Sequence, residues 1–182
     1  MEKFNFCSKL SAACTKDTLR PVLQCVHFKD GFAYASDGHV VIRQTLEISS
    51  VLDIENLNGH SIHKDCFDLI RKFDIAKATE NGIECSDNEG GFAIFEYHDL
   101  KGVQMPNFDS VLKIDETKPV SFIGINPTKL KQIIDAMHSD TNEFRLTFQG
   151  MDKGIIVETL DIDNQIALVM PVMLQQNLFK SE

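Results

Sequence analysis

The most regular pattern in the chain falls at residues 125–137, where Leu130, Ile133, Ile134 and Met137 recur at i, i+3, i+4 and i+7. That spacing predicts a helix with one buried face, capped by Asn126 and opened by Pro127, whose missing N–H is not needed in a first turn. Short β-rich runs follow at Phe144–Phe148, Gly154–Glu158 and Gln165–Met170, separated by turn formers such as Gly150 and Asp163-Asn164. The same succession occurs earlier, as Ile62–Phe73, Gly82–Cys85 and Gly91–Tyr97, with Ile62, Phe67 and Ile70 opposite Ile125, Leu130 and Ile133. A more divergent copy opens the chain. Phe4 and Phe6 alternate as in a strand, Ser8–Thr15 suits a short helix with Leu10, Ala13 and Cys14 inward, and strands are expected at Val22–Phe28, Phe32–Ser36 and Val40–Leu46. The tight turns Lys29-Asp30-Gly31 and Asp37-Gly38 join them. The pattern is therefore α+β, three β-α-βββ units written in series.

Composition narrows the class. With 43% hydrophobic residues, 5 Pro and 10 Gly, the chain has a core and is neither disordered nor collagen-like. Its longest apolar run, around Ile166–Leu174, is broken by Pro171 and falls short of the ~18 residues of a membrane span. Ser11-Ala12-Ala13-Cys14 loosely matches a lipoprotein processing site, but Glu2, Lys3, Asn5, Ser8 and Lys9 leave no continuous apolar core before it, so a cytoplasmic protein is expected. The five Cys, without a CxxC pair, read as reduced and mostly buried. The net charge of −9 is uneven: the helical stretches 1–20, 60–78 and 126–138 hold ten basic and six acidic residues. Basic helices and acidic sheets point to a shared surface facing a polyanion.

Few motifs in the sequence point to catalysis or metal binding. His60-x-x-His63-x-x-Cys66 offers three metal-capable side chains without a fourth, and Cys66 reads more simply as core. Asp37-Gly38-His39 has the residues of a tight turn, and no nucleophile in a matching context accompanies it. No phosphate loop or dinucleotide fingerprint is present, and Glu55, Glu80, Asp87 and Glu89 are scattered through loops. No enzyme, cofactor or metal site is expected.

Thr18-Leu19-Arg20-Pro21-Val22-Leu23, followed by Ala35-Ser36-Asp37-Gly38-His39-Val40-Val41, resembles the middle domain of the bacterial DNA polymerase III beta sliding clamps, where a TRPVL-like segment enters a strand and an A-T/S-D-G-H-R-L segment follows. Gln104-Met105-Pro106-Asn107-Phe108-Asp109-Ser110-Val111-Leu112 is similar to the FPDYxxVL that closes a clamp domain, and Val169-Met170-Pro171-Val172-Met173-Leu174 to the VMPxRL that ends the last one. The matches keep the family's order and span nearly the whole chain. Family domains each hold two β-α-βββ units. The resemblance therefore implies a DNA clamp fold shortened to about one and a half domains: a clamp domain at 1–115, half a domain at 116–174 and a C-terminal tail at 175–182. Helices would lie on one face and curved antiparallel sheets on the other.

The implied function is a sliding-clamp-like processivity factor that surrounds or lines duplex DNA without reading its sequence and docks replication or repair partners. The layout nominates Lys9, Lys16, Lys64, Arg71, Lys72, Lys129 and Lys131 as DNA-facing. In the family, polymerases and repair proteins insert a short peptide between the DGH and MPxRL segments. Carried over, that groove uses Ser36, Gly38, His39, Val40, Val41, Met170, Pro171, Val172 and Met173. Val40 and Met173 replace the family's two Arg residues, and Lys113 replaces the Pro after VL, so a more apolar groove is expected. In the tail, Gln175-x-x-Leu178-Phe179 resembles the QLxLF-type peptide by which partners enter such a groove; the alternative is a tail packed on its own domain. A six-domain ring holds twelve units, and three per chain gives four chains. An unpaired third unit, with an open helix face and strand edges, would form a homodimer through 116–174 and then a tetrameric ring. A second reading keeps the fold but makes it an adaptor or inhibitor that binds a replication clamp or polymerase through the tail without encircling DNA. A third, a ligand-binding or enzymatic α+β protein, requires a closed pocket with perturbed polar groups.

Overall fold

The protein is described by a computed structural model over residues 9–114, 116–137 and 139–174. The strand expected at Phe4 and Phe6, and the tail residues Gln175, Leu178 and Phe179, lie outside the described residues. The first unit opens with a single 3-10 turn, Leu10–Ala13, in place of the longer Ser8–Thr15 helix. The Thr15 N–H is taken by the Leu23 carbonyl at 2.9 Å, so the chain leaves the helix after one turn. Leu10, Ala13 and Cys14 still point inward, as their spacing predicts. A second 3-10 turn, Pro21–Gln24, replaces the first half of the expected Val22–Phe28 strand, with Pro21 at a position where no N–H is required. Strands β1 (Cys25–Lys29), β2 (Phe32–Ser36) and β3 (Val40–Thr45) follow. Asp30 and Gly31 link β1 to β2 with φ of 50° and 80°, the geometry of a two-residue type I′ hairpin.

The second unit comprises β4 (Ser61–His63), α1 (Lys64–Ile70), β5 (Ile75–Ala78), β6 (Gly82–Ser86) and β7 (Phe92–Glu96). Strand β5 is not foreseen by the pattern, because the side chains it buries are only Ala76 and Ala78. Lys77, counted above with a helical stretch, therefore lies on a strand and pairs with Asp53 at 3.4 Å. A short helix α2 (Phe108–Val111) precedes the third unit, which is α3 (Pro127–Ala136), β8 (Phe144–Thr147), β9 (Ile155–Thr159) and β10 (Ile166–Val169). The Asn126 side chain caps α3 by accepting from the Thr128 N–H at 2.9 Å. Its buried stripe is Ile133, Ala136 and Met137, whereas Ile134, expected inside, is 42% exposed. The helix is turned so that Gln132 faces the Leu10–Ala13 turn and donates to the Ala12 carbonyl at 2.7 Å.

All named strand pairs are antiparallel, in a seven-stranded sheet ordered β4-β1-β2-β3-β10-β9-β8 and a three-stranded sheet β5-β6-β7. Strand β4 is lent to the sheet of the first unit. The third strands of units one and three pair directly, with Val40 opposite Val169 and Arg43 opposite Ile166. Helix α1, the Leu10–Ala13 turn and α3 stand in contact on one face, tied by the bond from Ser11 Oγ to Asp68 at 2.5 Å and by the Gln132 bond. Val26, Phe28, Ala35, Val40, Ile42, Ile155, Val157 and Val169 face these helical elements, together with Ile83 and Cys85 of the smaller sheet. Each large aliphatic or aromatic side chain so buried contributes about 1.5–3 kcal/mol. Alternate residues on the other face, Tyr34, Val41, Ile156, Ile166 and Leu168, meet Phe108 and Leu112.

The third unit departs from the expectation of open faces. The helix face and the β10 edge of the third unit are not open to a symmetry mate: the Leu10–Ala13 turn covers the first and β3 the second. Among the described residues, its strand edge without a partner in the sheet order is β8.

Candidate partner groove and nucleic-acid face

The Asp37-Gly38-His39 turn is built by its own side chains. Asp37 Oδ1 accepts from the N–H groups of His39 (2.9 Å) and Val40 (3.1 Å), while Ser36 Oγ donates to the Val40 carbonyl at 2.7 Å and accepts from the Gly38 N–H at 3.0 Å. Gly38 has φ of 92°, and a Cβ there would stand 3.2 Å from Arg20 Nη1, so the position favours glycine twice over. The other Asp37 oxygen pairs with Lys129 of α3 and accepts from Gln132 Nε2 at 3.2 Å. Burial pushes the Asp37 carboxyl up. The Lys129 bond and the two backbone N–H groups outweigh it and hold the group below the usual carboxylate range. The turn is thus also a tie to the third unit.

Pairing of β3 with β10 places the two expected walls side by side, and the Met170 N–H donates to the His39 carbonyl at 2.9 Å. Past Pro171, the Val172 N–H donates to the Gly124 carbonyl at 2.9 Å, fastening this segment to the chain entering α3. Gly38, His39, Met170, Val172 and Met173 are exposed along this line, with Pro171 half-buried between them. Ser36, Val40 and Val41 are buried, so they shape the junction from beneath rather than line it. Next to it opens a cavity of about 240 Å³ lined by Phe122, Ile123, Gly124, Met151, Val172, Met173 and Leu174, with Asp152 also in its wall. Phe122 and Met151 were not foreseen; their only signal is a lone large apolar residue in each of two polar loops.

The segment that closes the first two units braces the opposite face of the sheet. Phe108 stacks on Tyr34 with ring centres 5.6 Å apart and contacts His27 at 5.6 Å. The Tyr34 hydroxyl donates to Asp109 at 3.0 Å, and Arg43, lying 4.7 Å over the Phe32 ring, pairs with Asp109 at 3.4 Å.

The seven nominated cations all belong to the helical row or its flanks. Lys9, Lys16 and Lys72 are exposed, and Arg71 is half-buried where α1 ends. Three others carry counter-charges: Lys64 with Asp65 at 2.6 Å, Lys131 with Asp135 at 2.7 Å, and Lys129 with Asp37. Lys16, Lys129 and Lys131 line one depression of about 590 Å³ with Thr15, Thr128 and Gln132, and with Asp37 and Asp135.

The remaining polar candidates make contacts within the fold. The His60 ring stacks on Tyr97 at 3.9 Å, His63 Nδ1 accepts from the Asp65 N–H at 3.4 Å, and no three His, Cys, Asp or Glu side chains converge as metal ligands among the described residues. His27 is buried between the Val22 carbonyl, 2.8 Å from Nε2, and Ser61 Oγ, 2.7 Å from Nδ1. The carbonyl can only accept, so Nε2 carries the proton. Burial lowers the His27 pKa and pushes the thiols of Cys25 and Cys85 up to about 12. Among the described residues no helix is long and apolar enough to cross a membrane.

The fold has counterparts among known structures. A DnaN sliding clamp (DNA polymerase III subunit beta) from Bartonella birtlesii superposes with a TM-score of 0.66 at 13% identity over 95% of this chain and 63% of that one. DNA polymerase III subunit beta from Borrelia burgdorferi gives 0.69 at 11% identity over 96% and 64%. The DNA polymerase sliding clamp from Bacillus subtilis gives 0.58 at 13% identity over 96% and 61%. The chain has the sliding-clamp fold. It spans about 63% of the length of the clamp it is compared with first. No family model matches the sequence, and no curated protein matches it.

Proposed function

We propose that this chain is a shortened sliding-clamp-like processivity factor that acts in the cytoplasm, surrounds or lines duplex DNA as a homo-oligomer, and docks clamp-binding peptides of polymerases or other partners at the junction of units one and three. The observation that carries this reading is the β3–β10 pairing, which joins the Gly38-His39 and Met170–Met173 segments into one exposed apolar ledge beside the 240 Å³ cavity. The row of helical elements, tied together and flanked by Lys9, Lys16, Lys64, Arg71, Lys72, Lys129 and Lys131, supports a face for phosphates. Units one and two correspond to a clamp domain at 1–115, and residues 116–174 to half of another, with the β8 edge left for a second copy.

One observation favours the adaptor reading instead: Lys64, Lys129 and Lys131 are matched by carboxylates, which weakens the field of the helical face. Measuring DNA affinity against salt separates the two. The clamp reading expects sequence-independent binding that falls steeply with salt, with a log–log slope of about −0.9 per phosphate neutralised. Replacing exposed Lys9, Lys16 and Lys72 by Glu abolishes it while the fold is kept, and Met173→Glu weakens a labelled clamp-binding peptide without touching DNA affinity. Absence of salt-dependent DNA binding, with peptide or clamp binding retained, overturns the clamp reading in favour of the adaptor.

A further inference from the structure

The three units supply three third strands, and two of them satisfy each other: β3 and β10 pair antiparallel and fuse units one and three. The third, β7, ends its sheet, with β6 on one side and no strand on the other among the described residues. Its outward side chains are large and apolar, Phe92 at 64% and Ile94 at 55% exposure. Beneath the same edge, Leu69, Phe73 and Phe95 border a hollow of about 340 Å³ with Lys72 and Asp87. Edge strands are normally guarded by charge, proline or a bulge. Phe-Ala-Ile-Phe-Glu carries a single charge, at its end. The Tyr97 N–H bonds to the Asn81 carbonyl, so by antiparallel alternation the N–H and C=O groups of Phe92, Ile94 and Glu96 point to the open side.

We infer that β7 is a self-association surface, pairing antiparallel with β7 of a second copy about a two-fold axis centred on Ile94. That register sets Ile94 against its own counterpart, Ala93 against Phe95, and Phe92 against Glu96. Residues of the inner face stay on the inner face, and the two Glu96 carboxylates are kept apart. The contact repeats, between chains, the third-strand pairing that already joins two units within one. A second copy is the occupant because the strand is complementary to itself and because the fold uses this same join internally. The inference deepens the ring reading and rests on it only for closure: two-fold contacts alternating at β8 and β7 close four chains, whereas β7 alone makes a dimer.

The test uses the full chain and its mass in solution. Phe92→Glu with Ile94→Lys alters two exposed side chains, so circular dichroism should be unchanged while the mass of the largest species halves, four chains to two or two to one. Ile94→Cys should cross-link to itself under mild oxidation, and Ile75→Cys, exposed on the same face at the far edge of that sheet, should not exceed the wild-type background. An unchanged mass in the double variant, absence of the Ile94→Cys cross-link, or a strictly monomeric wild type at high micromolar concentration overturns the inference. Retention on circular duplex DNA separates it from the clamp reading. A mass that halves in a protein that never holds DNA keeps the interface and sinks the clamp, while DNA retained with an unchanged mass does the reverse.

Discussion

Replacing Lys129 by Met is expected to destabilise the fold by about 1–2 kcal/mol, below the full range for a hydrogen bond to a charged group, because water reaches the lysine end. The side chains are 7% exposed at Asp37 and 27% at Lys129, so the carboxylate is the desolvated partner. In Lys129→Met it keeps the His39 and Val40 N–H groups and Gln132. Asp37→Ala should cost more, about 2–4 kcal/mol, since it also orphans the N–H of fully buried Val40. In the double variant the two losses should fall short of additivity by about 1 kcal/mol. The assay is urea unfolding, read as a shift in midpoint at constant slope. Acid pH gives a second readout. The folded pKa of Asp37 is depressed, so its contribution is present above the ordinary carboxylate range, about pH 4, and is lost as pH falls through the lower folded value. Lys129→Met should flatten that acid limb. A change below about 0.3 kcal/mol with an unaltered acid limb would refute the tie between the turn and α3.

Phe108→Ala should cost about 3 kcal/mol, because the ring is 5% exposed and stacked on Tyr34, and a urea midpoint shift worth less than about 1 kcal/mol would show that α2 does not brace the sheet. Burial lowers the His27 pKa from 6.5, so the unfolded chain takes up the proton first and stability falls as pH drops below that value, by up to about 1.4 kcal/mol per pH unit. Measured in a His63→Gln background, because burial lowers His63 as well, this slope should vanish in His27→Gln; a flat profile between about pH 7 and 5 before that change refutes the neutral buried histidine.

The features legible in the sequence are local. The i, i+3, i+4 spacing and the Asn126-Pro127 start produce α3, Asp30-Gly31 produces its hairpin, and Asp37-Gly38 its turn, because each signal acts within a few residues of where it is written. The clamp resemblance was legible for a related reason: its motifs are short runs that the fold keeps in order. Other features depend on contacts between distant parts of the chain. Strand β5 forms on two alanines too small to signal a face, and Ile134 stays outside because the Leu10–Ala13 turn, not the helix's own periodicity, selects which side of α3 is covered. Phe122 and Met151 reach the ledge through loops, and Lys129 meets Asp37 across 92 positions of chain. The β10 edge of the third unit is taken by β3, because an unpaired strand edge takes whichever partner the chain's own connections bring within reach, and no residue pattern records that distance.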